Sequence, residues 1–212
     1  MSIDSDSKYF LIGLHKTGTT SIEHLFKNWG YVVGDQSQGE RLLHDWYIRR
    51  FDRIISLVKT ADFFQDTPFS LPYTYVVLDQ YFPNAKFILT IRDSADQWYQ
   101  SLVRFHSKIW SPSNASLAPT ADDLKRATYG YLGRAYHSNR MIFSSPESEL
   151  YKRSELIKYY ESHNYQVEQY FKHSHDRFIK INLSIQSDHS RLEEFCGRHS
   201  SNGDFPVLNN SR

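Results

Sequence analysis

This sequence of 212 residues has little cysteine, no long apolar run and no excess of one charge. Its single cysteine, Cys196, cannot form a disulfide within the chain, which is typical of a reducing compartment. The surrounding LEEFCGR predicts a buried helix position for it. The 25 Lys and Arg residues nearly balance the 24 Asp and Glu residues, so nothing indicates a general coat for nucleic acids or membranes. Any anion-binding site must therefore be local.

Targeting and membrane signals are also lacking. No apolar stretch reaches the roughly 18 residues of a membrane span, so no span is expected. The opening residues, MSIDSDSKYF, carry acids and no apolar segment, so we expect no secretory signal. These absences predict a cytoplasmic protein.

Residues for a packed core are plentiful. Hydrophobic residues make up 40% of the chain and aromatic residues 16%, and the length suits one domain over residues 1–212. Strand-like and helix-like stretches alternate, which predicts an α/β fold with a central parallel sheet and helices on both faces. Residues 111–175 show helical patterns without strands, so we expect them to form a helical cap or insertion beside the sheet.

The pattern places each element along the chain. Strands are predicted at YFLIGL, YVV, DFFQDTP, KFILTIRD and RFIKINLS. Helices are predicted at TTSIEHLFKNWG, over about 40–58, at YTYVVLDQYFPNA, after a Ser94 N-cap, over about 121–137, over about 149–173 and at SRLEEFCGR, with a loop over 111–120.

The stretch IGLHKTGTTS joins the first predicted strand to the first predicted helix. Gly13 and Gly18 have the spacing of a phosphate-binding loop, but Lys16 lies within the loop instead of directly after the second glycine, as in ATP and GTP sites. Lysine at this place fits one phosphate with a reactive group attached better than a triphosphate. Backbone N–H groups of residues 17–20 can hold that phosphate. Hydroxyl donors come from Thr17, Thr19, Thr20 and Ser21. The alternative is a glycine–threonine turn that only starts a helix.

These motifs resemble a known family. HKTGTTS after a first strand is similar to the 5′-phosphosulfate loop of sulfotransferases that use 3′-phosphoadenosine 5′-phosphosulfate (PAPS). The segment from DTPFSLP to ILTIRDSADQWYQSL is similar to the central segment of that family, and FIKINLS and LEEFCGRHSSNGDFPVLNN look like the end of its small, single-domain bacterial-type members. The resemblance implies a P-loop NTPase-like three-layer sandwich. It also implies transfer of a sulfuryl group from PAPS to a hydroxyl or amine, with adenosine 3′,5′-bisphosphate (PAP) as product and no metal.

The resemblance assigns the 3′-phosphate of PAPS to an arginine and a serine. Arg92 stands at the carboxyl end of the clearest strand, and its planar fork suits a phosphate. Ser101 is the matching serine on the next helix, with Ser94 as the alternative. A structural ion pair of Arg92 with Asp93 or Asp96 is the competing interpretation.

The same resemblance assigns the chemistry. Lys16 would neutralise the charge that develops on the bridging oxygen as the S–O bond breaks. Asp66, two residues before Pro68, occupies the place of the base that takes the acceptor's proton. The alternatives are that Asp66 only caps the turn before the proline, or that His15 or His106 is the base.

The acceptor is not readable from the sequence. A small molecule, a glycan or a lipid would serve, and nothing indicates nucleic acid or an oligomeric state. The basic run RRFDR at residues 49–53 is interpreted as a solvated helix face, with a contribution to holding an acidic acceptor as the alternative. A small P-loop kinase-like enzyme and a non-catalytic nucleotide-binding protein of the same fold are the competing functions.

Overall fold

The computed structural model describes residues 8–111, 118–199 and 204–206. These residues form two compact units. The first contains the described residues up to Asp93 and from His163 onward, and the second is Ser94–Ser162.

The first unit contains the parallel sheet. Its strands are β1 (Tyr9–Leu11), β2 (Phe63–Phe64), β3 (Lys86–Ile91) and β6 (Phe178–Asn182). Its helices are α1 (Thr19–Asn28), α2 (Gln36–Arg41), α3 (Leu43–Tyr47), α4 (Asp52–Val58), α5 (Thr74–Tyr81) and α10 (Ser187–Cys196). Helix α9 (Arg153–Tyr170) contributes its residues from His163 onward.

The sheet has four strands in the order β2-β1-β3-β6, and every neighbouring pair is parallel. The register pairs Phe10 with Phe64 on one side and with Phe87 on the other. The predicted α/β class with a parallel sheet flanked by helices is therefore confirmed. Because parallel strands end at the same edge, the loops that follow them meet there.

Successive side chains of β1 enter cores on opposite faces of the sheet. Leu11 belongs to a buried cluster with Phe26 of α1 and Leu192 of α10. Phe10, on the other face, packs with its ring centroid 5.5 Å from that of Phe87, which lies 4.6 Å from Phe171 just after α9. Full burial of one such side chain contributes about 1.5–3 kcal/mol. Both cores therefore hold the strand ends in place.

Two sequence predictions for the first unit were wrong in extent. The stretch YVV is not a full strand, because its pairing with the sheet is limited to an isolated bridge between Val33 and Phe63. The helix expected over about 40–58 is divided into α3 and α4, preceded by α2. The division follows from Arg49, whose left-handed backbone (φ 61°) cannot continue a helix.

The second unit contains helices and one small hairpin. Its elements are α6 (Ala95–Trp110), α7 (Ala121–Arg126), β4 (Thr128–Tyr129), β5 (Tyr131–Leu132), α8 (Arg134–Phe143), a 3₁₀ turn (Glu147–Glu149) and the start of α9. The expected helix over 121–137 was wrong, as was the expectation of no strands in 111–175, because Gly130 (φ 78°) lets β4 and β5 pair across a tight turn. Most of the predicted 111–120 loop lies outside the described residues.

Two expectations about the bulk properties can be compared with the structure. Cys196 is buried on α10, as predicted, and burial raises the pKa of its thiol to about 12. In the ranges that the structure describes, no helix is both long and apolar enough to cross a membrane.

Candidate active site

The predicted phosphate loop connects β1 directly to α1, and two glycines allow its path. A Cβ at Gly13 would lie 2.6 Å from the backbone nitrogen of Thr90 on β3, so only glycine permits this approach. Gly18 has a left-handed backbone (φ 99°) where α1 begins, and a Cβ there would overlap the side chain of Leu183. The loop thus packs closely against the end of β3 on one side and the segment after β6 on the other.

Some hydrogen-bond donors of the loop are used within the protein, and others are left for a ligand. The buried Thr17 hydroxyl donates to the carbonyl of Leu14 at 2.6 Å and lies 2.6 Å from the hydroxyl of Thr90. Since a hydroxyl carries one proton, Thr90 must be the donor to Thr17. The N–H of Ser21 donates to Gly18, but no described backbone carbonyl accepts from the N–H groups of residues 17–20. These four groups at a helix start can receive an anion.

Lys16 is held in an unusual backbone conformation at the loop's centre. Its φ is 72°, in the left-handed region that lysine rarely adopts. The Nε of Arg92 donates to the carbonyl of Lys16 at 2.7 Å, which ties the arginine after β3 to the lysine of the loop. Burial, and secondarily the positive charge of Arg92, lowers the pKa of Lys16, while Asp66 opposes the shift. These three predicted site residues are therefore brought together.

The acids near Arg92 in sequence have partners of their own. Asp93 accepts hydrogen bonds from Asn182 at 2.7 Å and from Ser184, both at the end of β6. Asp96 pairs with Arg153 at 2.7 Å in the second unit. Asp93 thus connects the carboxyl ends of β3 and β6, a role that no pattern in the sequence indicates.

Asp66 follows β2 in a tight turn. Its backbone is left-handed (φ 57°), its Oδ1 accepts from the N–H of Thr67 at 2.8 Å, and its carbonyl accepts from the N–H of Ser70 at 2.8 Å. One carboxylate oxygen of Asp66 therefore caps the turn, as the turn-capping interpretation expects. The other carboxylate oxygen, Oδ2, takes no part in this capping bond.

The two alternative histidine bases lie in different surroundings. Burial lowers the pKa of His15, Asp66 opposes this shift, and Lys16 adds to it, so His15 belongs to the same cluster. His106 is buried in the second unit, with Nδ1 2.9 Å from the Tyr151 hydroxyl and its ring against Trp110. His106 therefore has the contacts of a core histidine within its unit.

The two candidate serines both belong to the second unit. Ser94 is the N-cap of α6, as predicted, and its hydroxyl accepts from the N–H of Gln97 at 3.1 Å. Ser101 lies half-buried on the same helix. The Ser94 hydroxyl accepts the capping bond and keeps its own proton for donation, so the choice between Ser101 and Ser94 as phosphate ligand stays a prediction.

His163 supports the phosphate loop, and the sequence reading missed it. Its buried ring donates from Nε2 to the carbonyl of Ile12 at 2.9 Å, directly before Gly13. Nδ1 then carries no proton and has no partner among the described residues. Burial lowers the pKa of His163 to about 4, so the ring is neutral near pH 7. A histidine among tyrosines on a long helix carries no local signal of this role, since its partner is distant in sequence.

Comparison with known families identifies the domain that contains this site. A family model described as a sulfotransferase domain matches residues 8–212, nearly the whole chain. The chain belongs to the sulfotransferase domain family. Membership supports activity as a transferase of sulfuryl groups. No curated protein matches the chain.

Potential metal ligands were sought among the residues that the structure covers. No group of three or more His, Cys, Asp or Glu side chains there is arranged to hold a metal ion. The loops that follow β1, β2 and β3 carry Lys16, Asp66 and Arg92 respectively.

Proposed function

We propose that the protein transfers the sulfuryl group of PAPS to a hydroxyl or amine of a small-molecule, glycan or lipid acceptor, releasing PAP. The observation that carries this proposal is the position of Lys16, which lies inside the phosphate loop and is held there by Arg92 through a 2.7 Å hydrogen bond. A lysine directly after the second glycine, which an ATP site would require, is replaced by Thr19.

The donor would bind by its two phosphate-bearing ends. The N–H groups of residues 17–20 and the hydroxyls of Thr19, Thr20 and Ser21 receive the 5′-phosphosulfate, while Thr17 contributes its N–H because its hydroxyl is bonded to Leu14. Gly18 gives the loop the backbone conformation that starts α1. Arg92 receives the 3′-phosphate, and Ser101 stays the serine predicted for the same group.

Lys16 and Asp66 divide the chemical step between them. The bond from sulfur to the bridging oxygen of the phosphate breaks, and the bond from sulfur to the acceptor oxygen or nitrogen forms in line with it. Lys16 stabilises the negative charge left on the bridging oxygen, which departs with PAP. Asp66 takes the proton that the acceptor loses. His15, in the same cluster, is the alternative base.

Calorimetry with PAP tests the donor half of the proposal. We expect PAP to bind without Mg²⁺, and Arg92→Ala to lose this binding. Arg92→Lys keeps a positive charge but lacks the Nε donor for the Lys16 carbonyl, so it should retain PAP binding better than Arg92→Ala and still slow transfer. Tight binding of Mg·ATP in place of PAP would contradict the proposal and favour the kinase-like alternative.

Turnover with labelled PAPS and a panel of acceptors tests the second half. Incorporation of label into an acceptor is the expected result. PAP binding without label transfer to any acceptor class would favour the non-catalytic alternative.

A further inference from the structure

The guanidinium of Arg49 is stacked against two aromatic rings. It lies 5.0 Å from the ring centroid of Trp46 and 5.4 Å from that of Tyr73. Arg49 is exposed and Tyr73 is 51% exposed, so the stack faces solvent. A guanidinium that stacks by its face keeps its N–H edge for a ligand in its own plane.

Arg49 occupies a position where glycine is usual. Helix α3 ends in a Schellman motif, in which the N–H of Arg50 donates to Asp45 at 2.8 Å and the N–H of Arg49 donates to Trp46 at 3.0 Å. Arg49 is the left-handed residue of this motif (φ 61°), and a side chain there is strained. An exposed cation–π contact stabilises the fold by less than the left-handed conformation of an arginine destabilises it. This difference indicates that Arg49 serves another purpose.

The neighbouring arginines are neutralised, whereas Arg49 is not. Arg50 and Arg53 both pair with Asp45, which is buried. No carboxylate of the described residues lies within ion-pair distance of Arg49. Arg49, Arg50 and Arg53 are all exposed, which agrees with the solvated-face interpretation of RRFDR, but the charges of Arg50 and Arg53 are paired with Asp45.

The stack is attached to the loop that carries the proposed base. The indole N–H of Trp46 donates to the carbonyl of Pro72 at 3.1 Å, and Tyr73 follows directly. The same loop begins at Asp66 and is folded into successive turns between them. Tyr73 is itself left-handed (φ 65°), so the loop is strained at both ends. Outliers of this kind concentrate where a ligand is positioned.

We propose that Arg49, with the rings of Trp46 and Tyr73, binds a carboxylate on the acceptor whose hydroxyl or amine reaches Asp66. The guanidinium pairs with the carboxylate in a planar, two-bond arrangement, and the exposed tyrosine ring contacts the apolar part of the acceptor. This inference rests on the proposed function, because it assigns the acceptor class for the same site.

Matched pairs of probes that differ in the carboxylate test the inference. One pair is methyl β-D-glucuronide and methyl β-D-glucoside, and the other is 4-hydroxyphenylacetate and 4-ethylphenol, so that a sugar source and a phenol source are distinguished. NMR titration measures binding directly, and labelled PAPS measures the ratio of kcat/KM within each pair. In the wild type we expect the carboxylate member of at least one pair to be favoured about tenfold or more.

Arg49→Gly separates binding from folding. Glycine suits the left-handed position, so the melting temperature should stay equal or rise, while the preference for the carboxylate member should disappear. Lys59→Gln is the control, because it removes one exposed positive charge on the next helix end without touching the stack. It should keep the preference.

The outcomes distinguish the two proposals. Failure of PAP binding and of sulfuryl transfer would overturn the proposed function, while the NMR titration would still report on the carboxylate site. A wild type that binds neither carboxylate member more tightly than its neutral partner, or an Arg49→Gly protein that keeps the preference, would overturn this inference.

Discussion

Two loops at the same edge of the sheet use opposite means to reach unusual backbone conformations. The phosphate loop after β1 relies on glycine at its tightest points, Gly13 and Gly18, and on a dense set of bonds to its neighbours. The loop after β2 has left-handed backbone at Asp66 and Tyr73, neither of which is glycine. Glycine relieves the strain at the tight points of the first loop, whereas the second loop keeps it at Asp66 and Tyr73. Under the proposed function, these are positions where a side chain acts.

The phosphate loop contains, besides its glycines, one strained non-glycine residue, Lys16. Its backbone is left-handed although it is not glycine, and Arg92 holds its carbonyl. Glycines thus shape both turns of this loop, while Lys16 is the residue whose side chain acts under the proposed function. The expected effects of the following substitutions decrease in order.

Asp66→Asn should cause the largest loss, about 10²–10⁴ in kcat, which is typical of losing a general base. Asparagine tolerates left-handed backbone and can still accept from the Thr67 N–H, so the turn should persist. Labelled PAPS measures the rate, and unchanged PAP affinity by calorimetry is the control. A near-normal rate would transfer the role to His15.

Lys16→Ala should lower kcat by about 10²–10³, the usual cost of removing one donor to a developing negative charge. The Arg92 bond goes to the backbone carbonyl, which alanine keeps, so folding should be unaffected. Circular dichroism and single-turnover transfer measure the two effects. Normal turnover in this variant would contradict the proposed mechanism.

His163 should make stability depend on pH through the phosphate loop. Because its pKa is lowered from 6.5 to about 4, the unfolded chain binds the proton first as the pH falls. Its contribution, about 3 kcal/mol, is therefore present above pH 6.5 and lost between pH 6.5 and 4.

Urea unfolding across that pH range can measure this loss. His163→Gln keeps an N–H donor for Ile12 but cannot titrate, so its stability should fall less steeply on acidification than that of the wild type. His24→Gln, at an exposed site on α1, is the matched control and should retain the wild-type slope. Parallel curves for the wild type and His163→Gln would show that the ring is not held neutral.

Adding a side chain in the first loop and removing one from the second should change the free energy of unfolding by small amounts of opposite sign. Gly13→Ala should destabilise by about 1–3 kcal/mol, since its Cβ would meet the backbone of Thr90. Tyr73→Gly should change stability by at most about 1 kcal/mol and in the favourable direction, since it relieves left-handed backbone at an exposed residue. Thermal unfolding measures both. Equal destabilisation by the two changes would remove the contrast.

The order of elements was largely readable because it depends on local patterns. The buried run KFILTI became β3, and the apolar spacing after the glycine loop became α1, as the sequence predicted. Two of the errors lie where one residue interrupts a helical pattern, at Gly130 in the β4–β5 turn and at Arg49 after α3. Arg49 is the left-handed residue that ends α3 although arginine favours helices, and its contact with Tyr73 lies outside any local window of the sequence.

The family, the loop between β1 and α1 and the alternation of strands and helices could be predicted from the sequence alone, since glycine spacing and apolar period act over a few residues. Three contacts could be seen only in the folded protein: Arg92 with the carbonyl of Lys16, His163 with the carbonyl of Ile12, and Arg49 with Tyr73. These pairs are far apart along the chain. They meet because the parallel sheet and the packing around it bring distant segments together, and no periodicity of the sequence records such an encounter.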